Sequence, residues 1–205
     1  IGHLEVPHTT CQEEMPGDVP APGAEPAHLD ALARAGIGAV SLAGNHMMDC
    51  GPVGLADTIA GLDRNGIAHA GAGPSLAAAR APAWLDWSGR RVALLSYNCV
   101  GPELCWAADD RPGVAYVAVG AEDGGPSRPQ ANLREIDAVS LEAMQADIAA
   151  ALAEADVVVV ALHKGITHRV AELAPYERPL AQAAIDAGAD VVAGHHAHIA
   201  RGIEL

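Results

Sequence analysis

The sequence predicts a layered α/β fold in which central, mostly parallel sheets are flanked by helices. Three observations predict it. Short apolar runs of strand length are bounded by turn residues, segments of helical period lie between them, and the strand-helix-strand order repeats through most of the 205 residues. Strands buried on both faces read as continuous runs of Val, Ile, Leu and Ala, which is the pattern at 38–43, 92–95, 157–162 and 190–193. The length fits one domain over residues 1–205, with room for a sizeable core.

Taken in order, residues 6–25 are rich in Pro, Gly and acidic side chains and read as loop. A helix over 26–35 carries Leu29, Leu32 and Ala33 on one face, and Gly36 closes it. The strand at 38–43 gives way to Gly44-Asn45-His46-Met47-Met48-Asp49. A second helix, 52–64, opens on Pro52, carries Leu55, Ile59 and Leu62 at helical spacing and stops at Asn65-Gly66. Residues 67–70 read as a short strand and 74–80 as a small helix. The runs 83–87 and 91–97, joined by Ser88-Gly89-Arg90, predict an antiparallel hairpin at a sheet edge.

Between 98 and 138 periodicity lapses, apart from a strand-like run at 114–119. Long irregular segments inside compact domains are usually functional lids or disordered, and this one is expected to be an insertion over the site. Regularity returns with a helix at 140–155, which places Leu141, Met144, Ile148 and Leu152 three and four apart. The run 157–162 is the most strand-like of all and leads into His163. After a loop with His168, a helix at 176–187 delivers the chain to a strand at 190–193 that stops at Gly194. Residues 202–205 read as part of a further strand. With no Met at Ile1, any leader or anchor is expected outside this sequence.

A formal charge of −14 argues against nucleic acid as a partner, because phosphates are bound by clustered Lys and Arg. Here the basic residues are scattered and Lys164 is the sole lysine. Cys11, Cys50, Cys99 and Cys105 show neither zinc spacing nor a disulfide framework. No run approaches the roughly 18 apolar residues of a membrane span.

The chemistry gathers where strands end. The expected strands run into Asn45-His46, into His163, and into His195-His196-Ala197-His198. Carboxyl ends of parallel strands share one edge of a sheet, so these loops are expected to converge. A lone Asn-His is more often a turn and a lone buried His more often a hydrogen-bonded core residue. Three such ends together with Asp49 and Glu5 favour a metal site. Imidazole, amide oxygen and carboxylate suit Mn, Fe, Zn or Co, held as one ion or as two roughly 3.5–4 Å apart. Such ions polarise a phosphoryl or carbonyl oxygen and activate water, and an uncoordinated histidine can protonate the leaving group.

Gly44-Asn45-His46 with Asp49-Cys50-Gly51, His163 after an apolar strand, Gly194-His195-His196-Ala197-His198, Leu4-Glu5, and the Ile-Asp-Ala-Gly-Ala-Asp at 185–190 together carry a family resemblance. Over nearly the whole chain they resemble the CapA family of poly-γ-glutamate capsule biosynthesis proteins, which is similar to the wider calcineurin-like metallophosphoesterases. The resemblance implies a metallophosphoesterase-like fold and one or two divalent transition metals (Mn, Fe or Zn). It implies Glu5, Asn45, His163, His196 and His198 as metal ligands, His46 as general acid, and Asp49 and His195 as supporting or catalytic groups. It further implies a Gly-Asp ahead of Ile1, whose Asp adds a ligand, and a setting at the bacterial cell envelope, with the cytoplasm left open as the alternative. Lys164 stands where many relatives have Trp, and His3 where Asn is usual.

Lys164 and His168 are candidate contacts for an anionic substrate, a phosphate or a polyglutamyl carboxylate. The plain alternative for the lysine is a solvated side chain. The expected activity is a metal-dependent hydrolase or transferase acting on phosphoester or amide bonds of an anionic polymer such as poly-γ-glutamate. Two alternatives stay open: a peptide epimerase using the same Lewis acid, and a non-catalytic subunit of a membrane-associated synthesis and export complex, reached through segments outside this sequence.

Overall fold

A computed structural model describes residues 1–15, 21–129 and 131–205. Of the loop expected over 6–25, residues 16–20 lie outside the described residues, as does Gln130 within the expected insertion. The chain runs β1 (Gly2–His3), α1 (His28–Arg34), β2 (Ala39–Ser41), α2 (Gly51–Arg64), β3 (Ala68–Ala70), β4 (Ala72–Gly73), α3 (Leu76–Arg80), β5 (Ala83–Trp87) and β6 (Arg90–Asn98). It continues through β7 (Gly113–Val114), β8 (Val119–Ala121), β9 (Leu133–Ile136), α4 (Ala138–Leu152), β10 (Val157–Lys164), α5 (Glu177–Asp186) and β11 (Val191–His196).

Two sheets form the centre. The first is all parallel in the order β1-β2-β3, and the second has the order β11-β10-β6-β5, parallel except for the β5/β6 hairpin. Helices cover the outer faces. Leu29 of α1 and Leu55 and Leu62 of α2 pack with Val40 and Leu42 on the first sheet. Met144 and Ile148 of α4 and Leu180 and Ala184 of α5 pack with Leu95, Tyr97, Val158, Val160 and Leu162 on the second. Side chains alternate across a strand, so the neighbours of these residues point the other way, into the space between the sheets. That space is filled by Ala39, Ala70, Ala83, Leu94 and Ala161.

Small residues on facing strands let the two sheets approach closely. Gly71 marks how closely: a Cβ there would lie 2.7 Å from the Ser96 Cβ and 2.9 Å from the Ala43 Cβ, and its φ of +100° is one that other residues rarely adopt. The result is the layered α/β fold expected from the order of elements. The hairpin is also as expected, with β5 at the edge and Trp87 opposite Arg90 across Ser88 (φ 51°) and Gly89 (φ 77°), the positive-φ pair that a tight two-residue turn requires.

Differences from expectation lie at strand ends. β10 and β11 do not stop at Leu162 and Ala193, because the parallel ladder continues through Leu162↔Gly194, His163↔His195 and Lys164↔His196. Backbone pairing is indifferent to the imidazoles it carries. The strand-like run at 114–119 is split between β7, which pairs with β4, and β8, which pairs with β9. Ala115 and Val117 between them are buried in the second sheet's core together with Val119. Residues 202–205, expected in a strand, belong to none, and Ile203 is 93% exposed. Beyond β11 the backbone leaves the extended conformation at His198, whose φ is 53°. Among the described residues no helix is long and apolar enough to cross a membrane.

The inter-sheet packing yields a stability test. Ala161→Leu adds bulk in the inter-sheet layer it shares with Ala39 of β2 and Ala70 of β3, and is expected to cost about 1–3 kcal/mol in urea unfolding. Val139→Leu, at a residue 75% exposed on α4, is expected to stay within about 0.5 kcal/mol.

Candidate metal centre

Register and alternation bring the histidines together. Ala161 points between the sheets, so His163, two residues on, does the same, and the ladder sets His195 beside it. Across the gap, the pairing of His3 with Ser41 places the His3 ring at the same level. The rings continue the space occupied lower down by alanines: His3 and His163 have centroids 5.0 Å apart, and His163 and His195 4.8 Å. Gly44 makes room for them, since a Cβ there would meet the His3 ring at 3.3 Å.

Simple alternation would turn His196 toward the helices. Instead its φ is 88° and that of His198 is 53°, conformations in which non-glycine residues are strained and which cluster at functional sites. This twist lets the His196 ring swing back, so that its Nδ1 lies 3.0 Å from His163 Nε2. On the same His163 nitrogen, Asn45 Oδ1 converges at 2.7 Å. Donor atoms about 2.1 Å from one ion lie roughly 3.0–3.4 Å from each other, close to this spacing. Glu5 joins them, with its ligand atom and those of His163 and His196 all within 4.8 Å of one another. Glu5 Oε1 is sealed from solvent and accepts no hydrogen bond among the described residues. His198 Nε2 approaches it at 3.4 Å, so the carboxylate has His198 near it as well as the His163/His196 pair. A buried carboxylate oxygen without a hydrogen bond fits a cation site.

A second grouping, His3, His163 and His195, also holds its ligand atoms within 4.8 Å. Ring orientation argues against it. An imidazole binds an ion in its own plane, and His3 and His195 are stacked 3.7 Å apart at only 19°. Two nearly parallel planes do not meet at bonding distance. His163 and His196, tilted by 59° with centroids 4.7 Å apart, do converge. The residues that suit an ion are therefore Glu5, Asn45, His163 and His196, with His198 beside Glu5.

Burial keeps this cluster neutral. Loss of solvent depresses the His195 pKa to about 2 and that of His3 to about 4, and holds His163 well below the ordinary value of 6.5. Neutral imidazole is the form that binds metal.

The remaining expected residues divide. His46, next to Asn45, has its Nδ1 2.7 Å from Asp49 Oδ2, an orienting pair at the rim of the cluster. His168 is exposed and stacks on His198, with centroids 5.5 Å apart, and its amide donates to the Ala197 carbonyl at 2.9 Å, which ties the loop after β10 to the turn after β11. Lys164 is not brought to the cluster. It follows His163 on the strand and so points to the opposite face, where its Nζ lies 2.9 Å from Glu177 Oε2. Glu177 is buried and also accepts from the Ala174 amide at 2.7 Å, so the ammonium is engaged within the fold.

The site residues that sequence reasoning missed are His3 and Ser41. One signal was present: His3 lies two before Glu5 in an extended segment, and that spacing puts both side chains on one side. Ser41 offered none, because its role depends on the ladder that pairs it with His3.

Fold and site define a two-sheet α/β protein with a buried histidine and carboxylate cluster able to hold a metal ion. The chain belongs to the family described as bacterial capsule synthesis protein PGA_cap, whose model matches residues 1–205. It is 34% identical over 199 residues to the probable polyglutamine synthesis accessory protein of Mycobacterium tuberculosis, covering 95% of this chain and 46% of that one. It is 30% identical over 164 residues to the PGA biosynthesis protein CapA of Bacillus subtilis, covering 80% and 37%. To the capsule biosynthesis protein CapA of Bacillus anthracis it is 27% identical over 177 residues, covering 86% and 38%. The chain thus spans less than half the length of these relatives.

Neutral burial has a measurable consequence in the metal-free protein. His3 and His195 titrate at about 4 and about 2 in the fold but at 6.5 when solvated, so between those values the unfolded chain binds more protons. Stability therefore rises with pH through this window and is lost as pH falls below about 6.5. In urea unfolding from pH 6.5 to 4, His3→Gln is expected to reduce the slope by about one proton. Separately, Lys164→Met strands the buried Glu177 carboxylate and is expected to cost about 3–5 kcal/mol in urea unfolding.

Proposed function

We propose that the protein is a metal-dependent hydrolase or transferase acting on a phosphoester or amide bond of an anionic polymer such as poly-γ-glutamate. The observation that carries this reading is the convergence of Asn45 Oδ1, His163 Nε2, His196 Nδ1 and the Glu5 carboxylate, beside a separate His46/Asp49 pair. Ligands and a proton-transfer group at one edge are what metal-assisted bond cleavage requires. Family membership supports the polymer class, because the relatives carry names from capsule, PGA and polyglutamine synthesis.

Glu5, Asn45, His163 and His196 would hold the ion, and His198, beside Glu5, would complete this set or serve a second ion. A Mn, Fe or Zn ion there supplies Lewis-acid polarisation of the scissile carbonyl or phosphoryl group. The protein's own groups do the rest. Neutral imidazoles leave the positive charge of the site to act on an anionic substrate. The Asp49 carboxylate accepts a hydrogen bond from His46 Nδ1–H, which fixes the ring, and the imidazolium form would give its Nε2 proton to the departing amide nitrogen or ester oxygen, leaving the neutral Nδ1–H imidazole. His168, exposed and stacked on His198, would be accessible to a polyanionic chain.

Elemental analysis of the full-length protein is expected to find Mn, Fe or Zn, and His196→Ala to lose both metal and turnover of polyglutamate or phosphodiester substrates. His46→Ala is expected to keep the metal and lose about 10²–10⁴-fold in turnover. A protein that takes up no transition metal and keeps its turnover in His196→Ala would overturn the proposal.

A further inference from the structure

His163 has two nitrogens, and only Nε2 faces Asn45 and His196. Its Nδ1 opens a second chain of contacts running back between the sheets. His163 Nδ1 lies 2.6 Å from His195 Nδ1, His195 Nε2 lies 3.5 Å from Ser41 Oγ, and Ser41 Oγ lies 3.5 Å from the Gly2 carbonyl oxygen. The His3 ring lies flat on His195, with its Nδ1 3.1 Å from the Ser41 carbonyl oxygen and 2.9 Å from Ser41 Oγ.

Two opposite assignments of the hydrogens satisfy these contacts, and an ion held by His163 Nε2 selects the one with that ring's proton on Nδ1, which begins at the far end. A carbonyl only accepts, so Ser41 Oγ donates to the Gly2 oxygen, and His3 Nδ1 donates to the Ser41 oxygen. The lone pairs of Ser41 Oγ then accept from His195 Nε2. A neutral imidazole carries one proton, so His195 Nδ1 is left as an acceptor, and its partner at 2.6 Å must donate. That partner is His163 Nδ1. Each group has one role, and the chain ends with His163 Nε2 as a lone pair aimed at the ion position.

We propose that His195, oriented by Ser41 and by the stacked His3, is a positioning residue that holds His163 in the Nδ1-protonated tautomer and thereby makes Nε2 a metal ligand. This rests on the metal reading given above. The competing state is specific: with its proton on Nε2, His163 would donate to Asn45 Oδ1 at 2.7 Å. That hydrogen bond would occupy the ring nitrogen and the amide oxygen together, removing two ligands at once. His195 opposes it by offering an acceptor on the other side of the ring, 2.6 Å from Nδ1. The same contacts explain why the His3, His163 and His195 grouping is compact although its ring planes do not suit an ion.

The test uses Zn²⁺ as a diamagnetic probe on full-length, ¹⁵N-histidine-labelled protein. Long-range proton-nitrogen correlation is expected to show His163 protonated at Nδ1 in the Zn²⁺-bound wild type. His195→Leu, which offers no acceptor, is expected to weaken Zn²⁺ binding about 10–100-fold in calorimetry, the usual effect of removing a ligand's supporting partner. His195→Asn, whose amide oxygen can take the place of Nδ1, is expected to restore binding to within a few-fold. Equal Zn²⁺ affinity in wild type and His195→Leu would overturn the positioning role and leave the metal reading intact. A wild-type spectrum with the His163 proton on Nε2 in the Zn²⁺-bound state would do the same without any variant. A wild type that takes up no Zn²⁺ would overturn the metal reading, and this inference with it.

Discussion

The structure depends on how closely two sheets can pack. Their facing sides carry alanines, with Gly71 so tightly enclosed that a single added carbon would strike both Ser96 and Ala43. A gap this narrow is filled by methyl groups along most of its length, and at its carboxyl end by imidazoles. Because the strands are parallel and in register, the residue that follows two steps after an inward alanine also points inward. The cluster is therefore the continuation of the core with polar side chains, and its geometry is inherited from the packing beneath it.

Polar groups placed in such a gap must be satisfied there, since unpaired buried polarity costs about 1–3 kcal/mol per group. The imidazoles meet this in two ways. They stay neutral, because burial disfavours the charged form, and away from the ion position they bond to one another and to Ser41. Most of the network closes on itself, but the Glu5 carboxylate does not close in the same way, and it stands beside the nitrogens of His163 and His196. A fold that gives each of these buried imidazoles at least one partner and leaves a buried carboxylate oxygen without a hydrogen bond places negative charge where an ion could be held.

Much of this was legible in the sequence. Continuous apolar runs marked β6 and β10, the short Gly-containing turn marked the hairpin, and Asn45, His163 and His196 were identified by their common position at strand ends. The less legible parts share a cause. Lys164 could be read as a substrate contact because spacing alone does not show that β10 continues through it and turns it to the helix side, toward Glu177. The run at 114–119 was divided because its two ends pair with strands distant in sequence, β4 and β9. His3 escaped notice because its importance comes from the ring stacked on it and from Ser41 across the ladder, contacts with residues 38 or more positions away.

What the sequence by itself determined is the set of elements and the chemistry available where they end: local periodicity, turn residues and donor types are properties of neighbours in the chain. Only the tertiary structure decided which donors converge closely enough to hold an ion and which contact one another instead. Two triads of similar compactness contain His163, and they are told apart by ring planes. Those planes are set by sheet register, by the positive φ at His196 and His198, and by stacking across two sheets. Orientation of this kind arises from contacts between segments that meet only when the layers close.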